Sequence, residues 1–218
     1  MEPLCVVVGA GPGIGLSVAF RFATEGFRVA LIARSANKVD DYVQKMAAMS
    51  FEAHGFVADA ADFASITQVF KQIHNTLGPT RVLVYNAAHL RKAKPTELTA
   101  DDLTEDFRTN AAGALHAVHQ VLPDMQQHGA GTVLLTGGGF ALEPMPPYAS
   151  LGVGKAALRN LTYSLHAELA PLNIHVATVT VCGFVEPGTK FDPDTIAEAY
   201  WELYEQKPGA RERERILD

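Results

Sequence analysis

The stretch that decides the fold is Leu4-Cys-Val-Val-Val-Gly-Ala-Gly-Pro-Gly-Ile-Gly15, near the start of the chain. Five apolar residues lead directly into four closely spaced glycines, and a helical pattern begins at Leu16. Glycines let the backbone turn sharply and approach a phosphate closely, and a helix N-terminus offers free N–H groups and the positive end of its dipole. The stretch therefore predicts a strand, a tight turn and a helix that bind the pyrophosphate of a dinucleotide. The alternative is an ordinary glycine-rich turn without a ligand.

The rest of the chain repeats this alternation of strand and helix. Apolar, strand-like runs occupy 4–8, 27–32, 52–58, 81–85, 132–135 and 175–181, and helical patterns occupy 16–24, 36–49, 62–77, 101–127, 148–170 and 194–206. This order predicts an α/β fold, in which residues 1–218 form a single doubly wound Rossmann domain. We expect a parallel sheet of six to seven strands with helices on both faces, and a short substrate loop around 183–193. The alternating charges of 211–215 predict a solvated tail.

Composition limits the function further. The chain has 218 residues, is 48% hydrophobic and carries a formal net charge of −6, so no extended basic surface suggests a nucleic-acid partner. No apolar run approaches the ~20 residues of a membrane helix, and no signal peptide precedes the first strand. Cys5 and Cys182 lie in apolar runs and are expected to be buried, reduced thiols of a cytoplasmic protein. His116 and His119 share a helix face without a third ligand, so no metal is expected.

Several segments at the carboxyl ends of the strands together resemble the short-chain dehydrogenase/reductase family. The glycine turn is similar to the Gly-x-x-x-Gly-x-Gly turn of that family, and Asn86-Ala-Ala88 resembles its Asn-Ala-Gly segment. Asn110 matches the asparagine of its long helix, Lys155 matches its active-site lysine, and Cys182-Gly183 replaces its usual Pro-Gly. The resemblance covers nearly the whole chain and implies a nicotinamide cofactor, a small-molecule substrate and a homodimer or homotetramer.

The resemblance also assigns the cofactor-binding residues. It implies that the turn holds the pyrophosphate, that Asp59 contacts the adenine and that Asn86 lies on the adenosine side. The residues implied for the cofactor are Gly9, Gly13, Ile14, Gly15, Arg34, Ser35, Asp59, Asn86, Lys155 and Gly183. The second strand ends in Arg34-Ser35 rather than in an acid, and an arginine at this place accommodates the 2′-phosphate of NADP. NADP is therefore favoured over NAD, with an arginine that is merely exposed as the alternative.

The chain departs from the family at two catalytic positions. Counting back from Lys155 places Leu151 at the usual tyrosine and Gly138 at the usual serine, and neither carries a hydroxyl. Tyr148 stands seven residues before Lys155, which is ~20° short of two full helical turns, so both side chains can face one pocket. This Tyr-x6-Lys spacing resembles the enoyl reductase branch of the superfamily. A tyrosine that merely packs at a helix start is the alternative.

Two functions follow from these features. The first is an NADP-dependent oxidoreductase that transfers hydride between NADPH and a carbonyl or enoyl substrate. Its catalytic residues are Tyr148, which polarises the substrate oxygen, Lys155, which holds the ribose, and Asn110, which supports Lys155 through water. The alternative is a non-catalytic NADP(H)-binding sensor or regulatory protein, because the usual serine and tyrosine are missing.

Overall fold

The computed structural model describes residues 2–218, and these residues build one parallel sheet covered by helices. The strands are β1 (Leu4–Val8), β2 (Arg28–Ala33), β3 (Ala53–Val57), β4 (Val82–Tyr85), β5 (Gly131–Thr136), β6 (Ile174–Val181) and β7 (Glu214–Leu217). The helices are α1 (Ile14–Thr24), α2 (Ala36–Ala48), α3 (Phe63–Leu77), α4 (Ala100–Phe107), α5 (Gly113–Gln127), α6 (Ala149–Leu169) and α7 (Pro193–Glu205). The expected α/β alternation is confirmed.

The sheet has the order β3-β2-β1-β4-β5-β6-β7, and all of its neighbouring strands are parallel. The chain builds outward from β1 in one direction and then returns to build outward from β4 in the other. Ligands of such sheets bind beyond the carboxyl ends of the strands, at the point where the direction reverses. In this chain that point lies between β1 and β4.

Two apolar cores, one on each face, hold the sheet between its helices. One core joins the strands to α3, α5 and α6, and the other joins them to α1, α2 and α7. Central strands such as β1 and β6 are buried along their whole length, because helices cover both of their faces. Burial on both faces explains why these strands appear in the sequence as near-continuous apolar runs.

The long helical pattern at 101–127 is interrupted in the structure. After α4, residues Arg108–Ala112 form one π-helical turn before α5 begins. Single π-helical turns inside α-helices are frequent at functional sites. Here the turn contains Asn110, whose side chain is completely buried.

The expected solvated tail is wrong in part, because residues 214–217 add β7 to the edge of the sheet. The Glu214 carboxylate accepts hydrogen bonds from Arg159 of α6 and from Thr180 of β6, at 2.8 and 2.7 Å. Tyr163 also donates a hydrogen bond to this carboxylate. The alternating charges predicted a solvent-exposed segment. That prediction failed for Glu214 because its hydrogen-bond partners are distant in sequence.

Three smaller expectations can also be compared with the structure. Cys5 is buried as expected, whereas Cys182 is only partly buried, because it lies at the end of β6. In residues 2–218, none of the helices combines the length and apolar character that crossing a bilayer requires. His116 stacks on Phe63 and hydrogen-bonds to Thr67, and the described residues include no group of three acidic, cysteine or histidine side chains placed to hold a metal.

Candidate functional site

A cleft of about 290 Å³ opens at the carboxyl ends of β1 to β4, where the direction of the sheet reverses. Its walls come from the glycine turn, the ends of β2 and β3, and the segment after β4. The lining residues include four of the expected cofactor residues, namely Gly9, Arg34, Asp59 and Asn86. The structure therefore brings these side chains together, as the topology of the sheet requires.

The glycine turn packs tightly against the segment after β4 and leaves its outer side open. Gly9 has a φ of +89°, and a Cβ there would lie 2.4 Å from the backbone nitrogen of Ala87. Gly13 immediately precedes α1 and supplies no side-chain cap. The N–H groups of Ile14 and Gly15 donate to no protein acceptor among the described residues. These free donors at a helix N-terminus can receive an anion.

Asn86 holds the turn in place through a chain of hydrogen bonds. Its amide nitrogen donates to the Gly9 carbonyl at 2.9 Å, and its amide oxygen accepts from the Thr136 hydroxyl at 2.9 Å. Because that hydroxyl uses its hydrogen for Asn86, the Tyr200 hydroxyl, 2.6 Å away, donates to it. A buried network from α7 through β5 and β4 therefore fixes the position of the glycine turn.

Arg34 and Asp59 stand at the outer edge of the cleft. The Arg34 side chain is exposed and makes no hydrogen bond or ion pair with any residue of 2–218, and Ser35 follows it at the start of α2. One Asp59 oxygen accepts a hydrogen bond from the Ala61 N–H at 2.9 Å. Its second oxygen has no protein partner in the described part of the chain. Both charged groups are therefore available to a ligand.

Lys155 lies on α6, is 7% exposed and does not line the cleft. Its ammonium donates to the Thr136 carbonyl at 2.6 Å, at the carboxyl end of β5. Burial lowers the pKa of Lys155 to about 8, and no carboxylate of the described residues contacts the ammonium to oppose this shift. A desolvated lysine without a carboxylate partner is costly for the fold, and such perturbed groups are enriched at functional sites.

Asn110 connects α6 to the loop after β4. Its amide oxygen accepts from the His89 N–H at 2.7 Å and its amide nitrogen donates to the His89 carbonyl at 3.0 Å. A Cβ at Gly154 would lie 2.4 Å from the Asn110 Cβ, so α6 can pack here only because residue 154 is glycine. Both amide groups of Asn110 are thus occupied by the backbone of His89, next to the helix that carries Lys155.

The family model for short chain dehydrogenases matches residues 4–195. The chain belongs to the short-chain dehydrogenase/reductase family. Its relatives include the 2,3-dihydro-2,3-dihydroxybenzoate dehydrogenase of Bacillus subtilis, which is 28% identical over 209 residues, or 96% of this chain and 76% of the relative. Members of this family are oxidoreductases.

Solved structures agree with this assignment. A short-chain dehydrogenase from Rhodopseudomonas palustris is similar with a TM-score of 0.90 at 26% identity, over 100% of this chain and 99% of that one. An actinorhodin polyketide ketoreductase with NADPH is similar with a TM-score of 0.81 at 26% identity, over 95% of this chain and 78% of that one. The family fold thus extends over nearly the whole chain.

The two positions at which this family member lacks a hydroxyl lie beside Lys155. A Cβ added at Gly138 would sit 3.5 Å from the Lys155 Cγ, which is ordinary contact. Leu151 is 7% exposed and belongs to the first turns of α6. Neither position can donate a proton, and residue 138 has room for a Cβ.

Tyr148 immediately precedes α6 rather than lying within it. Its ring stacks on Phe140, with 5.5 Å between the ring centroids and 10° between the planes. The backbone beside it is tied to the loop after β4, because the Ala93 N–H donates to the Pro147 carbonyl at 2.9 Å. The Tyr148 hydroxyl has no hydrogen-bond partner in residues 2–218. The ring is therefore held by stacking while its hydroxyl remains available.

Sequence reasoning missed a buried aspartate behind this loop. Asp106 of α4 is 0% exposed, and its Oδ1 lies 2.5 Å from the Nδ1 of His89. Arg91 donates to both Asp106 oxygens, at 2.9 and 3.0 Å. Asp106 stands four residues before Asn110, on the same helical face, and that spacing was the only signal in the sequence.

The loop around 183–193 is short and folded onto itself. A Cβ at Gly183 would lie 1.9 Å from the Phe191 ring, so glycine is needed for this close approach. The Gly188 N–H donates to the Asp192 carboxylate at 2.7 Å, and Asp192 also caps α7 through the Asp194 N–H. Gly183 is thus exposed beside Phe191 and does not line the cleft at β1 to β4.

Proposed function

We propose that this family member is an NADP(H)-dependent oxidoreductase that interconverts a carbonyl or enoyl compound and its reduced form. The observation that carries the proposal is the buried Lys155 ammonium at the same sheet edge as the glycine turn. A lysine without a carboxylate partner has little structural value in a desolvated site, whereas a ligand with hydroxyl groups would give it hydrogen-bond acceptors.

The residues of the cleft fit a dinucleotide. The free N–H groups of Ile14 and Gly15 suit a pyrophosphate, the unpaired Asp59 oxygen suits an adenine amine, and Asn86 fixes the turn. When bound, the nicotinamide of such a cofactor supplies or accepts a hydride. The ammonium of Lys155 would hold the ribose hydroxyls, and Asn110 would keep the neighbouring loop in place. Tyr148 would polarise the substrate oxygen.

Arg34 supports NADP over NAD, because its guanidinium is exposed, unpaired and on the wall of the cleft. The NADPH complex of the 26% identical ketoreductase is consistent with this choice. We expect Arg34→Glu to weaken NADPH binding at least tenfold, since a charge-assisted hydrogen bond contributes about 1.5–3 kcal/mol. NADH binding should change much less. The control Lys38→Glu makes the same charge change on α2, and an equal loss there would assign the effect to general electrostatics.

The activity is tested by following NADPH oxidation against panels of aldehydes, ketones and enoyl thioesters. We expect Tyr148→Phe to lower kcat with little change in the NADPH dissociation constant, and Lys155→Ala to weaken NADPH binding. Unchanged turnover in Tyr148→Phe would remove Tyr148 from the mechanism. Turnover by Lys155→Ala with wild-type NADPH affinity would contradict the role of the lysine.

A non-catalytic NADP(H) sensor is the second candidate, and the residues that favour it are Gly138 and Leu151. Tight NADPH binding without turnover on any panel member would support the sensor. The double variant Gly138→Ser and Leu151→Tyr restores the two hydroxyls that the family usually has at these positions. Turnover that appears only in this variant would indicate that the wild-type chain binds the cofactor without using it.

We also propose a homodimer or homotetramer. Phe107 on α4 and Val153 on α6 are 37% and 48% exposed, and these two helices contact each other, so an interface between copies of the chain would cover both side chains. Light scattering coupled to size-exclusion chromatography measures the mass directly, and a monomeric mass would contradict the proposal.

A further inference from the structure

The loop after β4 carries a histidine that is hydrogen-bonded to a buried carboxylate. Burial alone would raise the pKa of Asp106, but hydrogen bonds from Arg91 and His89 hold it below its usual value. Asp106 is therefore a carboxylate and can only accept hydrogen bonds. The partner atom, Nδ1 of His89, must carry a hydrogen. Neutral His89 then has its lone pair on Nε2, and protonated His89 has its second N–H there.

The Nε2 atom makes no hydrogen bond with residues 2–218, and the side chain is 39% exposed. The neighbours of His89 in the loop lie between the cofactor cleft and Tyr148. Ala88 lines the cofactor cleft, and Ala93 is bonded to the backbone beside Tyr148. Asn110 fixes both the N–H and the carbonyl of His89. The imidazole is thus oriented by Asp106 while its free nitrogen stays accessible.

A purely structural role leaves this arrangement unexplained. Arg91 already ties the loop to α4, with three hydrogen bonds to Asp106 and ion pairs to Asp102 and Glu105 at 2.7 Å each. The loop is fastened a second time through Asn110. The contact between His89 and Asp106 adds little to that attachment, but it does fix which imidazole nitrogen is free.

We propose that His89 is the proton donor and acceptor for the substrate oxygen, in the place of the hydroxyls that Gly138 and Leu151 lack. The proposal rests on the function proposed above. In the direction of reduction, a hydride arrives at the carbonyl carbon and the π electron pair moves onto oxygen. The Nε2–H of the imidazolium gives its proton to that oxygen, and its bonding electrons remain on Nε2. Neutral His89 then regains a proton from solvent, and Tyr148 orients the oxygen throughout.

The decisive variant is His89→Asn, because an asparagine amide nitrogen replaces Nδ1 and keeps the bond to Asp106, whereas nothing replaces Nε2. We expect kcat for reduction of the best carbonyl of the panel to fall about 100-fold or more, as for other lost general acids. The NADPH dissociation constant and the melting temperature should stay at their wild-type values. The control is Lys92→Gln, an exposed residue of the same loop that should leave all three quantities unchanged.

A second readout does not depend on turnover. In ¹⁵N-imidazole NMR spectra, the neutral form of His89 should be the Nδ1–H tautomer, and addition of NADP⁺ should shift its resonances. His128, at the end of α5 and the opposite edge of the sheet, serves as the internal reference and should not shift. A His89 resonance that is indifferent to NADP⁺, or a neutral Nε2–H tautomer, would overturn the placement.

The outcomes separate the two proposals. Wild-type protein that reduces a carbonyl while His89→Asn reduces it equally fast would overturn the role of His89 alone. Wild-type protein that binds NADPH tightly and reduces nothing would overturn the oxidoreductase, and the role of His89 with it.

Discussion

Replacing Lys155 with methionine should stabilise the folded protein at neutral pH. The ammonium is buried, its only hydrogen-bond partner within residues 2–218 is the Thr136 carbonyl, and burial lowers its pKa from 10.5 to about 8. At pH 7 the lysine is protonated in both the folded and the unfolded chain, so the folded chain bears the full cost of the buried charge. The difference between 10.5 and about 8 corresponds to about 3 kcal/mol.

This cost disappears as the pH rises. Between about pH 8 and 10.5 the folded chain releases the proton while the unfolded chain keeps it, so the unfolded state binds more protons and the free energy of unfolding increases with pH. Lys155→Met removes the titrating group but leaves the Thr136 carbonyl without its donor, which offsets about 1 kcal/mol. We therefore expect a gain of about 2 kcal/mol at pH 7 that becomes a small loss near pH 10.5.

Urea unfolding of wild type and Lys155→Met at pH 7 and pH 10.5 measures this change. Subtracting the two free energies of unfolding at each pH removes the contribution of every other titrating group, because both proteins contain those groups. The control Lys71→Met removes an exposed lysine of α3 and reports the effect of losing a lysine as such. A difference between wild type and Lys155→Met that is the same at both pH values would refute the assignment of a buried, desolvated ammonium.

Two further substitutions test the packing that positions the site. Gly154→Ala places a Cβ 2.4 Å from that of Asn110, so the free energy of unfolding measured by denaturation should fall by about 1–3 kcal/mol. The control is Gly152→Ala, whose Cβ would lie 3.4 Å from its nearest neighbour, and it should be neutral or stabilising. Equal effects of the two would contradict the close packing. Glu214→Gln should cost about 1.5–3 kcal/mol at pH 7, because the buried Glu214 side chain loses the charge that strengthens its hydrogen bonds from the partly exposed Arg159. Hydrogen bonds from Arg159 and others lower the pKa of Glu214 to about 2 against burial, so acidification from pH 4.5 toward 2 should shrink this difference, and a constant difference would contradict the ion pair.

The sequence already contained the fold and one half of the site. The glycine turn and the strand–helix alternation were sufficient because parallel strands place all of their carboxyl ends at one edge, so Arg34, Asp59 and Asn86 had to meet there. The absence of the usual hydroxyls at Gly138 and Leu151 was likewise readable by counting from Lys155. Such inferences need only local periodicity and a known topology.

Contacts between distant residues could not be read in this way. The strand at 214–217 looked like a charged tail because Glu214 finds Arg159 and Thr180 only after folding. Only its four-residue spacing to Asn110 marked Asp106 in the sequence, whereas the fold buries it against His89 and Arg91. The environment of a charge depends on which elements pack around it, and the free energy of desolvation exists only in the assembled structure.

The glycine stretch that begins at Leu4 thus determined by itself the first strand, the tight turn and the helix start with its free N–H donors, because these features are local. Only the tertiary structure decided the surroundings of the reacting end. It buried Lys155 without a carboxylate, left the Tyr148 hydroxyl unpaired and oriented His89 on Asp106. Those arrangements depend on how α4, α6 and the loop after β4 pack together, and no single segment of the chain specifies that packing.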